Sequence, residues 1–239
     1  MARAMSTLVI RLVIFFGAIT GTTGCLTEMF DAADPPPSLP IHVYAQDSWN
    51  GDPAYDSNGM RVENPRELIQ RAVEQWNTAM APYIRNGKKV FIFEGFINIE
   101  DFDPSKTNSF TDGRVVVYKI PQTTREMIEF ERDNSTGDGN NTGFAIPGGD
   151  VLMHVDIFPS YIKNHPVKMM PDDAQNKMYH LLLQTVIHEM GHVTGLPHIY
   201  EDGMSIMNDK KMWYTTDENG LYIGPPDIKA FCTVHHVCL

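Results

Sequence analysis

The apolar positions of this chain follow two rhythms. Alternation at period two marks strands. "IHVYAQ" (41–46), "KVFIFEGFINI" (89–99), "RVVVYKI" (114–120) and "DVLMHVDIF" (150–158) are all rich in β-branched and aromatic residues. In the last of these, Leu152, His154, Asp156 and Phe158 share one face. A period of 3.6 marks helices, most clearly over 64–80, where Leu68, Ile69, Ala72, Val73, Trp76, Ala79 and Met80 make a wide apolar face. Asn64 is placed to cap that helix, Pro65 suits its first position, and Glu67 stands at capping-box spacing. A second helical pattern runs from about Asp172 to Val193 and is broken by Gly195 and Pro197; a third begins at Pro225 and reaches Val234. Strands come early and long helices flank them. The pattern predicts an α+β fold on one mixed, twisted sheet, with an N-terminal helix, a helix near residue 190 and a C-terminal helix.

Outside these stretches the chain is punctuated rather than periodic. "LVIFFGAI" (12–19) is an apolar run near Arg3 and Arg11. It is too short to span a bilayer, which takes about 20 apolar residues as a helix, and it predicts a signal peptide over 1–24. "TTGC" (22–25) resembles a bacterial lipobox, with Cys25 as the residue that takes the lipid and Thr22 standing where that pattern has an aliphatic side chain. "DAADPPPSLP" (31–40) reads as an extended tether, because proline fixes φ and lacks a backbone donor. The expected organisation is therefore a leader (1–24), a lipidated Cys25 with its proline-rich tether (25–39), and one domain over 40–239. The product would be secreted or held at the cell envelope of a bacterium, preferably by the lipid anchor. The polar, glycine-rich stretch 131–143 reads as a solvated loop; Asp133, Asp138 and Asn140 would be its donors to a calcium ion, but ordinary turns use the same residues.

Charge narrows the class of partner. The 239 residues carry a formal charge of −11, and removal of 1–24 takes away Arg3 and Arg11 without any acid. Nothing resembles a basic footprint for nucleic acid, and membrane contact is expected only through lipid at Cys25. Cys25, Cys232 and Cys238 are the only cysteines. With Cys25 lipidated, "CTVHHVC" (232–238) is left to close a short disulfide loop in an oxidising compartment. A second metal site built from Cys232, His235, His236 and Cys238 is the less favoured reading, because its donors are crowded in sequence.

The chemistry concentrates in "HEMGHVTGLPH" (188–198). On a helix, residues four apart lie one above the other, so His188 and His192 aim at one point. Glu189 is rotated from them by roughly 100°, which suits a general base beside a metal rather than a ligand. Gly195 permits the positive φ that ends a helix and returns His198 to the same point. Three neutral imidazoles leave a fourth position open, which is the pattern of a catalytic zinc rather than a structural one. His42, His165 and His180 lie away from this segment and are read as surface or satisfied core residues.

This segment is similar to the HExxHxxGxxH signature of the metzincin zinc peptidases, and the order of elements over 40–234 resembles the matrixin-like branch. The resemblance implies a metzincin-like zincin fold with one catalytic Zn2+ on His188, His192 and His198, and Glu189 as the base. It also implies a methionine-bearing turn below the metal, for which "SIM" (205–207) offers Met207, with Met204 and Met212 as neighbours. The implied activity is that of a zinc-dependent endopeptidase acting on a protein or peptide, which is cleaved by water that Glu189 activates at the metal. Such a substrate would lie antiparallel to an edge strand, for which 150–158 is the candidate, and the stretch from Met207 to Tyr222 would wall its pocket, with Tyr214 in contact. A monomer is expected. The sequence also departs from the pattern. Asp209 stands where the astacin and serralysin branches have a tyrosine, His154 alone survives of the matrixin structural-zinc set and reads as a strand residue, and the short stretch between Cys25 and the domain leads us to expect no latency by a prosegment thiol. Asp227 reads as a family-like ion-pair partner or as an acid favoured at a helix N-terminus. A catalytically silent zinc-containing binding module and a zinc hydrolase of cell-wall peptides are the alternatives.

Overall fold

The computed structural model describes residues 36–50, 65–105, 114–133, 141–146, 149–155, 174–209 and 220–238. Strands β1 (Ile41–Gln46), β2 (Phe91–Ile97), β3 (Arg114–Ile120), β4 (Gly143–Ala145) and β5 (Val151–His154) form one sheet in the order β2-β1-β3-β5-β4. All pairings are parallel except that of β4, which runs antiparallel to β5. The α-helices among the described residues are α1 (Pro65–Met80), α2 (Arg125–Asp133), α3 (Ala174–Val193) and α4 (Pro225–His235). The architecture is α+β with a mixed sheet, as the two rhythms imply.

Both faces of the sheet are covered. Val115, Val117, Val151 and Met153 point into a large core shared with α1, α3 and Phe231 of α4, whereas Val116, Tyr118, Ile120 and Leu152 point into a smaller one under Met127 and Phe130 of α2. A strand buried on both sides loses its polar face, which is why "RVVVYKI" is an almost continuous apolar run. On α1 every residue of the expected apolar stripe is buried. Each large side chain there contributes about 1.5–3 kcal/mol by leaving water. Trp76 adds direction, because its Nε1–H donates to the Ile187 carbonyl at 2.9 Å and so fixes α1 against α3 beside His188. Asn77 ties the same helix to the sheet: its Nδ2 donates to the Phe91 carbonyl, and its Oδ1 accepts from the Val90 and Phe91 amides.

Three expectations change. Residues 131–133 belong to α2 rather than to a loop, and Thr124 caps that helix by accepting the Met127 amide at 3.3 Å. The strand expected over 150–158 is seen over Val151–His154; Asp156 and Phe158 lie outside the described residues. That strand is not an edge, because β3 and β4 flank it. The Ile146 amide bonds the Asp150 carbonyl beside the antiparallel pair, and among the described residues β4 takes the edge position. The leader, Cys25 and the Asn64 cap lie outside the described residues. No helix of the described residues is long and apolar enough to cross a membrane.

Candidate metal centre

Helix α3 carries His188, Glu189 and His192 on its last turns, and its ending decides where His198 goes. The Gly195 amide bonds the His192 carbonyl at 2.8 Å, and the Leu196 amide bonds the Gly191 carbonyl at 3.2 Å. This is a Schellman termination, with Gly195 at φ 90°, a conformation that L side chains rarely adopt. The chain reverses at once, and His198 meets the two helical histidines.

The three rings converge through Nε2. His188 Nε2 lies 3.1 Å from His192 Nε2 and 3.2 Å from His198 Nε2. The other nitrogens show why these contacts are not ordinary hydrogen bonds. His188 Nδ1–H donates to the Ile206 carbonyl and His192 Nδ1–H to the Leu196 carbonyl, each at 2.7 Å. Carbonyls only accept, so the protons sit on Nδ1, and in the neutral ring Nε2 is left with a lone pair. Burial keeps these rings neutral: it pushes His188 down to about 4 against the opposing Ile206 bond. His192 is held well below the ordinary histidine value by burial first, then by His188 and His198. Lone pairs facing one another at 3.1 Å repel unless a cation lies between them. Nitrogens bound to a tetrahedral zinc at about 2.0–2.1 Å stand about 3.3–3.4 Å apart, close to the spacing seen. The donor set fits zinc.

Two neighbouring structures fix the rings. The first is the turn 205–208, closed by the Asn208 amide on the Ser205 carbonyl. Its Ile206 carbonyl orients His188, while the Met207 carbonyl accepts the Ile199 amide at 3.0 Å, one residue past His198. Met207 is fully buried against Gly191 of α3, where an added Cβ would overlap its sulfur. Met207 thus packs on α3 next to His192, with Met204 half-buried and Met212 outside the described residues. The second structure is the start of α4. Asp227 accepts from Ser205 Oγ (2.5 Å), the Ile206 amide (2.9 Å), the Met207 amide (3.3 Å) and the Gly224 amide (2.8 Å). It thus joins two tasks, capping the first turn of α4 through the Gly224 amide and clamping the 205–207 turn. Burial pushes its carboxyl up, and the four bonds oppose that shift.

Glu189 is 2% exposed and lies against β4. A Cβ at Gly143 would stand 2.5 Å from Thr185 Cγ2 and 3.0 Å from Glu189 Cγ, so only glycine lets the edge strand approach the helix here. Tyr200, half exposed, places its ring 6.0 Å from that of His198 at the rim. Neither Gly143 nor Tyr200 is marked by periodicity; Tyr200 could have been found only by its place two residues beyond the last histidine.

The remaining expectations separate cleanly. Cys232 and Cys238 form a disulfide, with Cα atoms 5.2 Å apart. Their sulfurs are therefore not thiolate ligands, and His235 Nε2 bonds the Thr194 carbonyl, which removes the second metal site. His154 is buried between Thr123 and Glu131. His180 bonds Tyr222 at 2.6 Å, and His42 bonds Glu94. Asp133 sits exposed at the end of α2; Asp138, Asn140, His165 and Tyr214 lie outside the described residues. The chain matches no family model, no curated protein and no solved structure.

Proposed function

We propose that this protein is a metzincin-like zinc endopeptidase in which His188, His192 and His198 hold one Zn2+ and Glu189 is the general base. The observation that carries the reading is the arrangement of protons: two Nδ1–H groups are committed to backbone carbonyls, and the Nε2 atoms of three buried rings face one point. Metal-ligating histidines are oriented by such bonds from the second nitrogen. Zinc held there would supply Lewis acidity, lowering the pKa of water and polarising a peptide carbonyl.

The chain's own residues do the rest. Glu189 takes the proton of the attacking water and passes it to the leaving amine, a role its position beside His188 permits. Gly143 of β4 lies against its side chain, where an added Cβ would stand 3.2 Å from Glu189 Oε1. Among the described residues strand β4 has β5 as its one neighbour in the sheet, and an extended substrate would align antiparallel on its other side by backbone pairing. The three rings are not fully enclosed, His192 and His198 each being 7% exposed, so the site opens to the surface.

The test is cleavage of a diverse peptide library by the zinc-loaded protein, beside Glu189→Gln with its zinc content measured. Cutting that disappears in the variant while zinc stays bound supports the peptidase. Bound zinc without cutting in the wild type overturns it.

A further inference from the structure

We propose that His235, held in the loop closed by Cys232 and Cys238, is a positioning residue for the metal ligands. It fixes the turn that orients His192 and returns His198. The proposal rests on the zinc site argued above but not on peptide hydrolysis.

The turn begins at Thr194, which is completely buried. Its amide bonds back to the Met190 and Gly191 carbonyls, and its hydroxyl donates to the Gly191 carbonyl at 2.7 Å. Its own carbonyl is one of the last of the helix, where no intrahelical donor remains. Water does not reach it. His235 Nε2–H donates to that carbonyl at 2.8 Å. Because a carbonyl only accepts, the imidazole carries its proton on Nε2, the opposite tautomer from His188 and His192. Burial pushes the His235 pKa down, so the ring is neutral when it donates.

The ring has little freedom. It stacks on Phe231 with centroids 4.3 Å apart, and Phe231 packs on Trp76, the side chain that bonds the Ile187 carbonyl of α3. The same short loop covers the turn a second time, since Val234 Cγ1 lies 3.5 Å from where a Cβ on Gly195 would stand. The disulfide holds the loop's ends together, and Cys238 bridges to Ile84, beyond α1. The turn is thus gripped from the C-terminal end of the chain. Leu196, two residues past Thr194, supplies the carbonyl that orients His192, and His198 follows two residues later. A shift at Thr194 therefore reaches two of the three imidazoles.

A phenylalanine would fill the same stack, so the reason for histidine is the donor. That separates positioning from packing. In the full chain with its disulfide intact, His235→Phe keeps the ring and removes the donor, whereas His235→Gln keeps an N–H near Nε2. Zinc affinity would be read by chelator competition and ligand geometry by the visible spectrum of the cobalt-loaded protein, with melting temperature measured without metal. We expect His235→Phe to weaken zinc binding about tenfold, at the low end for outer-shell partners, and to shift the cobalt spectrum. Gln should recover most of the affinity. Zinc affinity within twofold of wild type in His235→Phe would overturn the proposal, as would equal loss in both variants. A lower melting temperature with unchanged zinc affinity and spectrum would also overturn it, leaving His235 a packing residue. A wild type that binds zinc without cutting peptides would sink the peptidase reading alone; a wild type that binds no zinc would sink both.

Discussion

Two buried histidine sites lie on opposite sides of the sheet, and they differ in what their second nitrogens meet. On the α2 side, His154 is fully buried with Nδ1 3.2 Å from Thr123 Oγ1 and Nε2 bonded to Glu131. The hydroxyl donates to one nitrogen and the carboxylate accepts from the other, so the ring's hydrogen-bonding capacity is used within the protein. On the α3 side each helical ring gives its proton to a backbone carbonyl, and its remaining lone pair faces another lone pair. Both sites are buried, His154 completely and His192 and His198 to within 7%. Lone-pair direction, not the presence of buried histidine, distinguishes a closed structural knot from a site suited to a cation.

The sharpest break of that comparison is to remove one histidine from each side. His188→Ala takes away one of three protein donors; if these share the roughly 10–16 kcal/mol with which structural sites hold zinc, affinity should fall on the order of 10³-fold or more. His154→Ala should leave zinc affinity within twofold. Its effect belongs to stability, since Glu131 would stay buried after losing the His154 ring, at a cost of up to about 3–5 kcal/mol. Chelator competition and denaturant unfolding on both variants check the pair. Loss of zinc from His154→Ala in a folded protein would erase the distinction.

Next in size is the clamp on the turn. Asp227→Ala takes the acceptor from the Ile206 and Gly224 amides and the Ser205 hydroxyl, while the Met207 amide keeps Ser205 Oγ at 3.1 Å. With buried unsatisfied groups costing about 1–3 kcal/mol each, a net loss of about 3 kcal/mol is expected. Zinc affinity should fall too, because the Ile206 carbonyl orients His188. Gly191→Ala is a smaller intrusion at the same place. Alanine favours a helix over glycine by about 1 kcal/mol, but its methyl would overlap Met207 Sδ, and displacement of that packed side chain should dominate, for a net cost of about 1–2 kcal/mol. Thermal unfolding decides the sign.

These contrasts also show how far the sequence could be read. The histidine cluster was legible because its logic is local: a four-residue spacing and a glycine before the return of His198 need no knowledge of the rest of the fold. The apolar stripe of α1 was legible for the same reason. Helix α2 was not, since most of its nine residues are polar or charged and only Met127 and Phe130 of its apolar residues are buried. Strand β4 has three residues, too few for alternation to register, and missing it misplaced the sheet edge. Asp227 and Glu131 act on groups about twenty residues away in sequence, Asp227 on the 205–207 turn and Glu131 on His154, and no periodic pattern records such pairings.

The smallest expected effect is a pH slope in the metal-free protein, and its sign follows from the neutral rings. His188 titrates near 6.5 when unfolded, but burial lowers it to about 4 in the fold. Between those values the unfolded chain binds a proton that the folded chain refuses. Stability contributed by the neutral ring is therefore present above about pH 6.5 and is lost as pH falls toward about 4, by at most about 1.4 kcal/mol per pH unit. His192 is shifted the same way and steepens the slope. Denaturant midpoints of the chelated protein should fall over this range, and His188→Gln, which cannot take the proton, should flatten the dependence. A wild-type midpoint that stays level from about pH 7 to about pH 5 would mean that the rings accept protons in place, and with that the lone-pair contrast between the two sides of the sheet would fail.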